Sequence, residues 1–529
     1  MIRRRFIVGV GLVALFALGF TVGRGTSGDL YANLDVFVEV MQRVEENYVN
    51  PVKPSELVDG GIKGMLHDLD PYSQYLDAED YAGLKDMTYG EFSGIGAVIG
   101  VREDYPTVIS ALEGGPAAAA GIHSGDIIVA IDGKTSSGLT VDDASKRLRG
   151  KAGTTVRLHL RREGVERDED VTLVRREIET RSVPYAFRVG TDLGYVRIAS
   201  FSEKSGAEVR AALDKLKAEG ARRFVLDLRQ NPGGVLDQAV DVAEQFLPKG
   251  SLVVTTRGRQ KAQDHRYYAD LVGADLRSPL AVLIDGGSAS ASEIVAGALQ
   301  DLDRALVVGG LSYGKGSVQS VFPLRGRTTA LKLTTALYYT PSGRSIHRKN
   351  PGPADDDGED DAAPADSAAS DSARALPIFH TARGRVVYGG GGITPDLKAV
   401  DDSLSRLLKV IEQKGLAFRF ANKWANTHPT RLPGARLEPS IWTGFVQFVR
   451  AEGVEAPAAD LERERAGVER AVRRELARRA GGDREAMRVV LEGDRVYARA
   501  AAALERATRA QDVFAGTAGV PDRTRDSKR

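Results

Sequence analysis

Apolar positions change their spacing several times along the chain, and each change marks a different kind of element. The first apolar run, Phe6–Val22, is unbroken, follows Arg3, Arg4 and Arg5, and ends at Gly23-Arg24-Gly25. A positive segment leading into an apolar one is the pattern of an export signal. The run falls slightly short of the ~20 residues that span a bilayer, and no clean Ala-x-Ala cleavage site follows. An uncleaved signal anchor over residues 1–28 is therefore favoured over a removed signal peptide. Basic flanks stay cytoplasmic, so the remaining chain is expected on the periplasmic side of a bacterial envelope, whether anchored in the inner membrane or exported. From Asp29 to Lys85, positions such as Leu34, Phe37, Val38 and Met41 recur at helical spacing. Short β-like runs separated by glycine turns then extend from Thr88 to Val174. Beyond Arg181, strand-like runs at Phe224–Leu228, Leu280–Ile284 and Ala305–Val308 alternate with helices, the pattern of a layered α/β core. From Asp401 the spacing is helical again and rich in Ala, Arg and Glu, up to a polar tail after Thr517.

Composition narrows the function classes. Hydrophobic residues are 42% of the 529 and charged residues 27%, a globular mixture that at ~150 residues per domain suggests three or four domains. The 73 Lys and Arg balance 72 Asp and Glu, so the strong field of a nucleic-acid coat is missing and no nucleic-acid partner is expected. Arg470–Arg479 is basic, but its interleaved Glu makes it a solvated helix face. Cysteine is absent, which excludes disulfides, thiolate metal sites and cysteine nucleophiles. Between Asp355 and Asp371 stand eight acids and no Lys or Arg. Such a segment cannot bury enough apolar surface to offset its ordering entropy, and reads as a solvated loop. It lacks the spacing of an EF-hand calcium loop, and neither metal nor cofactor is expected.

Four segments carry the candidate chemistry. Asp227-Leu-Arg-Gln-Asn-Pro-Gly-Gly234 runs from a strand into a glycine turn before a helix, where backbone N–H groups can face open space. Asp285-Gly-Gly-Ser-Ala-Ser-Ala-Ser-Glu293 also follows a strand and opens a helix; taken alone, Ser290-x-x-Glu293 is a capping box. Gly309–Gln319 lacks the Gly-Lys-Ser/Thr ending of a phosphate loop, its order being Gly-Lys-Gly-Ser. The fourth runs from Leu331 to Ser345. A serine needs a base to become a nucleophile. None of the seven histidines lies inside these glycine and serine segments, and no Gly-x-Ser-x-Gly elbow is present. A lysine whose pKa is lowered by its surroundings can serve instead. Lys315 stands between two glycines, and Gln319 follows at i+4, where an amide could orient the amine. The spacing leaves the choice among Ser288, Ser290 and Ser292 open.

Together these runs resemble the C-terminal processing peptidases, the PDZ-containing serine endopeptidases of the tail-specific protease family (S41 type). The likeness rests on Gly-Ser-Ala-Ser-Ala-Ser-Glu-Ile, Tyr-Gly-Lys-Gly-Ser-Val-Gln and Tyr-Tyr-Thr-Pro-Ser-Gly-Arg-Ser-Ile, and extends from about residue 35 to Asp396 apart from the acidic interruption. The resemblance implies that Ser290 is the nucleophile, Lys315 the base and Gln319 its support. It also implies an oxyanion hole from the N–H groups of Gly234 and Ala291. Residues Thr88–Val174 resemble a PDZ domain: Phe92-Ser-Gly-Ile-Gly-Ala-Val-Ile99 sits where such domains capture a peptide's carboxylate, here through Ser93, Gly94, Ile95 and Gly96.

The expected fold is an α/β protease core of crotonase/Clp-protease-like sandwich type, with an inserted mainly-β PDZ domain and a helical C-terminal extension. Its expected boundaries are 29–87 for an N-terminal helical part, 88–175 for the PDZ domain and 176–349 for the catalytic core. The acidic insertion takes 350–375, the end of the core 376–400, the helical extension 401–516 and the tail 517–529. The expected activity is cleavage of envelope polypeptides with exposed apolar C-termini. Other expected partners are a second copy in a homodimer, an adaptor, and the membrane at the N-terminus. Two rival readings are a catalytically silent PDZ scaffold or holdase and a Ser-Lys cell-wall amidase, although Ser290 is followed three residues later by Glu293 where a Ser-x-x-Lys motif needs lysine.

Overall fold

The computed structural model describes residues 27–163, 165, 167–324, 326, 328–348, 376–400, 404–428 and 433–515. The expected export signal through residue 26 and the acidic insertion 350–375 lie outside the described residues. Among the described residues no helix is long and apolar enough to cross a membrane.

The chain forms two compact units, one comprising residues through Tyr81 with Gln319–Thr334, the other Ala82–Val318 with Thr335–Arg529. In the first, the helices Ser27–Asn47 and Pro54–His67 precede a strand, Gln74–Leu76, paired antiparallel with Ala330–Lys332. The helical spacing read from Asp29 to Lys85 is therefore interrupted. Asp70 supplies the reason: its carboxylate accepts from Tyr72 N–H at 2.8 Å, Ser73 N–H at 2.9 Å and Ser73 Oγ at 2.7 Å, a turn that diverts the chain from the helix. Thr334 Oγ1 donates to the same carboxylate at 3.0 Å, tying the distant strand to that turn.

The second unit is built on a six-stranded sheet: β1 (Tyr185–Val189), β2 (Leu193–Arg197), β3 (Arg223–Asp227), β4 (Leu280–Ile284), β5 (Leu306–Gly309) and β6 (Leu397–Lys398), in that spatial order. Only the β1–β2 pair is antiparallel. Helices α1 (Ser205–Ala218), α2 (Leu236–Ala243) and α3 (Ala291–Asp301) intervene between strands, and α4 (Arg465–Leu491) and α5 (Arg495–Glu505) follow later. Because side chains alternate across a strand, β4 feeds two cores. Leu280, Val282 and Ile284 pack with Val209, Leu213, Val240, Ile294 and Leu299 of α1–α3. Ala281 and Leu283 face the other way, onto Leu491, Val496, Tyr497, Ala500 and Leu504 of α4 and α5. Burial on both faces is why the strand reads as an unbroken apolar run. The result is a three-layer sandwich whose second cover comes from the far C-terminal region.

Between Ala82 and the sheet lies an antiparallel module with a core of Val108, Ile128, Val156, Leu158 and Leu173. Its incoming strand Glu91–Gly94 pairs with its outgoing strand Arg176–Glu179, so both ends leave side by side. Among the described residues four helices between Arg406 and Arg463 pack with the first half of α4 around Phe420, Phe445 and Val472. In this region Arg419 pairs with Glu452 at 2.7 Å and, on the antiparallel module, with Glu103 at 3.0 Å.

Candidate active site

The turns that follow β3, β4 and β5 leave the carboxyl ends of neighbouring parallel strands, the place where open α/β sheets form ligand crevices. After β4, Asp285 accepts from Gly287 N–H and Gln230 N–H, fastening its turn to the one after β3. Ser290 caps α3 with φ 55° and ψ −115°, a left-handed conformation held against its intrinsic cost. Strain of this kind concentrates at functional turns and positions a side chain where a relaxed backbone would not.

The three serines of this turn have different fates. Ser288 is buried, with its hydroxyl donating to Leu228 O at 2.8 Å. Ser292 is buried as well and donates to Asn231 O at 2.9 Å. Ser290 alone of the three is partly exposed. Two of the three hydroxyls thus brace the turn, and the third serine is the partly exposed one.

Glycines allow the approach of the turn after β3. A side chain at Gly233, φ +100°, would place its Cβ 2.7 Å from Ser290 Cβ and 2.9 Å from Ala291 N. Phe201 straps this turn from behind, donating its N–H to Gly233 O and accepting from Val235 N–H, each at 2.9 Å. Among the described residues no acceptor is bonded to the N–H of Gly234 or of Ala291. Ala291 is the first residue of α3, where the helix dipole also favours negative charge.

Glu293 connects this turn to the loop after β5. Its buried carboxylate accepts from Ser290 N–H at 2.8 Å, Ser312 Oγ at 2.5 Å, Gly314 N–H at 2.8 Å and Lys315 N–H at 2.9 Å. Burial raises its pKa to about 7, with these four donors opposing the shift. Tyr338, itself buried, places its hydroxyl 2.6 Å from Lys315 O and 3.1 Å from Ser290 O. The backbones bearing Ser290 and Lys315 therefore share two anchors. Sequence reasoning took Glu293 for a capping residue only and missed Tyr338. The capping half is present, but the same carboxylate also gathers the lysine loop, which the Ser-x-x-Glu spacing does not announce. Arg344, in the fourth segment, is fully buried and pairs with Asp301 at 2.7 Å at the far end of α3. That segment's Pro-Ser-Gly-Arg turn thus holds the helix that Ser290 begins.

Gln319 lies in the strand Ser317–Pro323, so its spacing from Lys315 is not one helical turn. It belongs to the first compact unit, where its amide donates to Thr334 Oγ1 at 3.3 Å. In the antiparallel module a cavity opens between the strand Ala97–Arg102 and the helix Val141–Leu148. Gly94, Ile95 and Gly96 line it together with Phe92, Leu148 and Arg149, whereas Ser93 does not. The Arg149 guanidinium lies 5.2 Å from the centre of the Phe92 ring. Among the described residues no group of three or more His, Cys, Asp or Glu could hold a metal ion.

Three family descriptions match the chain: Peptidase family S41 over residues 192–356, a PDZ domain over 107–162, and the activating protease CtpB N-terminal domain over 23–80. A carboxy-terminal-processing protease of Bartonella bacilliformis is 44% identical over 346 residues, covering 64% of this chain and 79% of that protein. The carboxy-terminal processing protease CtpA of Bacillus subtilis is 34% identical, covering 61% of this chain and 68% of its own length. A carboxyl-terminal-processing protease of Synechocystis is 38% identical, covering 58% and 72% respectively. By these likenesses the chain belongs to peptidase family S41, among the PDZ-containing carboxy-terminal processing proteases, and is a serine-type peptidase.

Proposed function

We propose that the chain cleaves envelope polypeptides presenting exposed apolar C-termini, through an acyl-enzyme formed on Ser290. The carrying observation is that Ser290 is the one serine of its turn that is partly exposed, while its backbone shares Glu293 and Tyr338 with that of Lys315. Neutral Lys315 accepts the proton as Ser290 Oγ bonds to the scissile carbonyl carbon. The oxyanion that forms is received by Gly234 N–H and Ala291 N–H. Lys315 then gives its proton to the departing amine; a water, deprotonated by the again neutral Lys315, attacks the acyl carbon, and Ser290 Oγ leaves with that proton. Each backbone donor of this kind contributes roughly 3–4 kcal/mol to lowering the barrier. Gln319 takes the supporting role toward Lys315 that the family resemblance assigns.

The PDZ domain selects the substrate. An extended C-terminus adds beside the strand Ala97–Arg102, with its carboxylate at Gly94–Gly96 and its last apolar side chain against Leu148. The N-terminal segment directs the enzyme to the periplasmic face of the membrane, and a second copy and an adaptor complete its partners. The same reading takes the core as a crotonase/Clp-protease type sandwich, a view supported by its three layers and parallel strands.

The test uses the purified chain with Ser290→Ala and Lys315→Ala variants, on peptides with free and amidated C-termini. Cleavage of the free-acid peptide is expected from the parent chain alone. Full activity in Ser290→Ala would refute the nucleophile, and equal cleavage of acid and amide would refute the recognition mode.

A further inference from the structure

Behind the turn that follows β3 lies a buried set of charges that the chemistry above does not use. Asp227, at the end of β3, accepts from Arg197 at 3.0 Å, from Tyr195 OH at 2.7 Å, and from Arg229 through Nε at 3.0 Å and Nη2 at 2.7 Å. Arg229 Nη2 also reaches Asp494 Oδ2 at 2.6 Å, a residue 265 positions later in the chain. The other oxygen of Asp494 accepts from Tyr497 N–H at 2.7 Å and caps α5. Two guanidinium groups therefore face two carboxylates, and all four are largely withdrawn from water. Removing one carboxylate would leave an uncompensated cation in a buried place, the circumstance in which such pairs matter most.

Position gives this set its meaning. Arg229 is followed at once by Gln230, held at φ 51° with its N–H on Asp285. Next comes Asn231, whose carbonyl accepts from Ala289 N–H at 3.0 Å and from Ser292 Oγ at 2.9 Å. The chain then enters the Gly233-Gly234 turn. Each link from Asp494 to the serine turn is a direct bond or a single peptide step.

We propose that Asp494 is a positioning residue for the active site: by fixing Arg229 it fixes the Gln230–Gly234 backbone, so the C-terminal region is part of the catalytic apparatus as well as a cover for the sheet. The proposal rests on the assignment of Ser290 and Gly234 made above. Capping and positioning can be separated, because asparagine caps a helix as well as aspartate does but forms no ion pair with a guanidinium.

In the full-length chain, Asp494→Asn is expected to lower kcat about tenfold to a hundredfold, the scale of small misplacements of reacting groups. KM and affinity for a C-terminal peptide should stay near the parent values, with kcat measured well below the lowered thermal midpoint that loss of one buried partner brings. In an Arg229→Gln background the same substitution is expected to change kcat less than about twofold, since the contact it removes is already gone. Asp494→Ser, which keeps a cap and loses the pairing, should behave as Asp494→Asn does. Parent kcat in Asp494→Asn, or an equal loss in the Arg229→Gln background, would overturn the proposal. So would failure of both Asp494 variants to fold, which would make the residue structural only. A Ser290→Ala arm separates the two levels. If Ser290→Ala retains turnover, the active-site assignment falls; if it is inactive while Asp494→Asn matches the parent, the positioning role alone falls.

Discussion

Gly233→Ala tests the core of the reasoning because its effect can be worked from distances. At φ +100° an alanine is strained, at a cost on the order of 1–3 kcal/mol. Its new Cβ would lie 2.7 Å from Ser290 Cβ, 2.8 Å from Ala289 O and 2.9 Å from Ala291 N. Carbon atoms prefer separations of about 3.5–4.0 Å, so relief requires movement of roughly 1 Å. The obstructing atoms are mostly backbone, and Ser288 and Ser292 pin that backbone from both sides. The displacement therefore falls on Ser290 and on the Ala291 N–H. A shift of that size at reacting atoms costs about a hundredfold in rate. The assay is kcat/KM on a free-acid peptide, with the thermal midpoint measured alongside. Gly286→Ala is the control, since nothing lies within 4 Å of the corresponding Cβ position. A Gly233→Ala enzyme within about threefold of the parent would show that the two turns do not need this close approach.

Three further outcomes follow from the same geometry. Ser290→Ala should abolish turnover and keep the thermal midpoint, whereas Ser288→Ala and Ser292→Ala should each cost about 1 kcal/mol of stability and reduce turnover less than about tenfold; indistinguishable kinetics among the three would contradict the separation of roles. Glu293, with its pKa raised to about 7, favours the folded state in its protonated form. That contribution is fully present below the unfolded carboxylate value of 4.5 and is lost as pH rises through about 7. The midpoint difference between the parent and Glu293→Gln should therefore move in favour of the variant over that interval, and a difference independent of pH would refute the assignment. Amidation of a C-terminal peptide should weaken its binding to the PDZ groove about tenfold or more, the worth of hydrogen bonds to a charged group, as read by titration calorimetry.

What could be read from the sequence depended on how local its cause was. Leu280–Ile284 was plain because burial on both faces leaves no polar position in the run. The glycine turns after the strands were visible for a similar reason: their backbone conformations exclude most side chains. The difference between Ser290 and its two neighbours was not legible from spacing, because Ser288 and Ser292 are set apart only by what their hydroxyls meet after the turn forms. Glu293 was legible as a cap and not as the tie to Lys315, since Ser312 and Gly314 come to it from another strand's loop. The strand Gln74–Leu76 was hidden inside a helical spacing because its partner, Ala330–Lys332, lies far along the chain. Pairing across such a distance leaves no periodic mark on either side. Asp494 and Arg229 belong to the same category, each an ordinary charged residue until the fold sets them together.

The division of the sheet between two cores also bears on how the molecule is made. Val225, Leu283 and Val308 leave the ribosome well before Leu491, Val496 and Leu504, the side chains that cover them. Through most of synthesis the finished strands thus present an uncovered apolar face. During that interval the bare face invites association with another apolar surface. The arrangement orders events as well: the sheet acquires its second cover only once the last helices, Arg465–Leu491 and Arg495–Glu505, have been made.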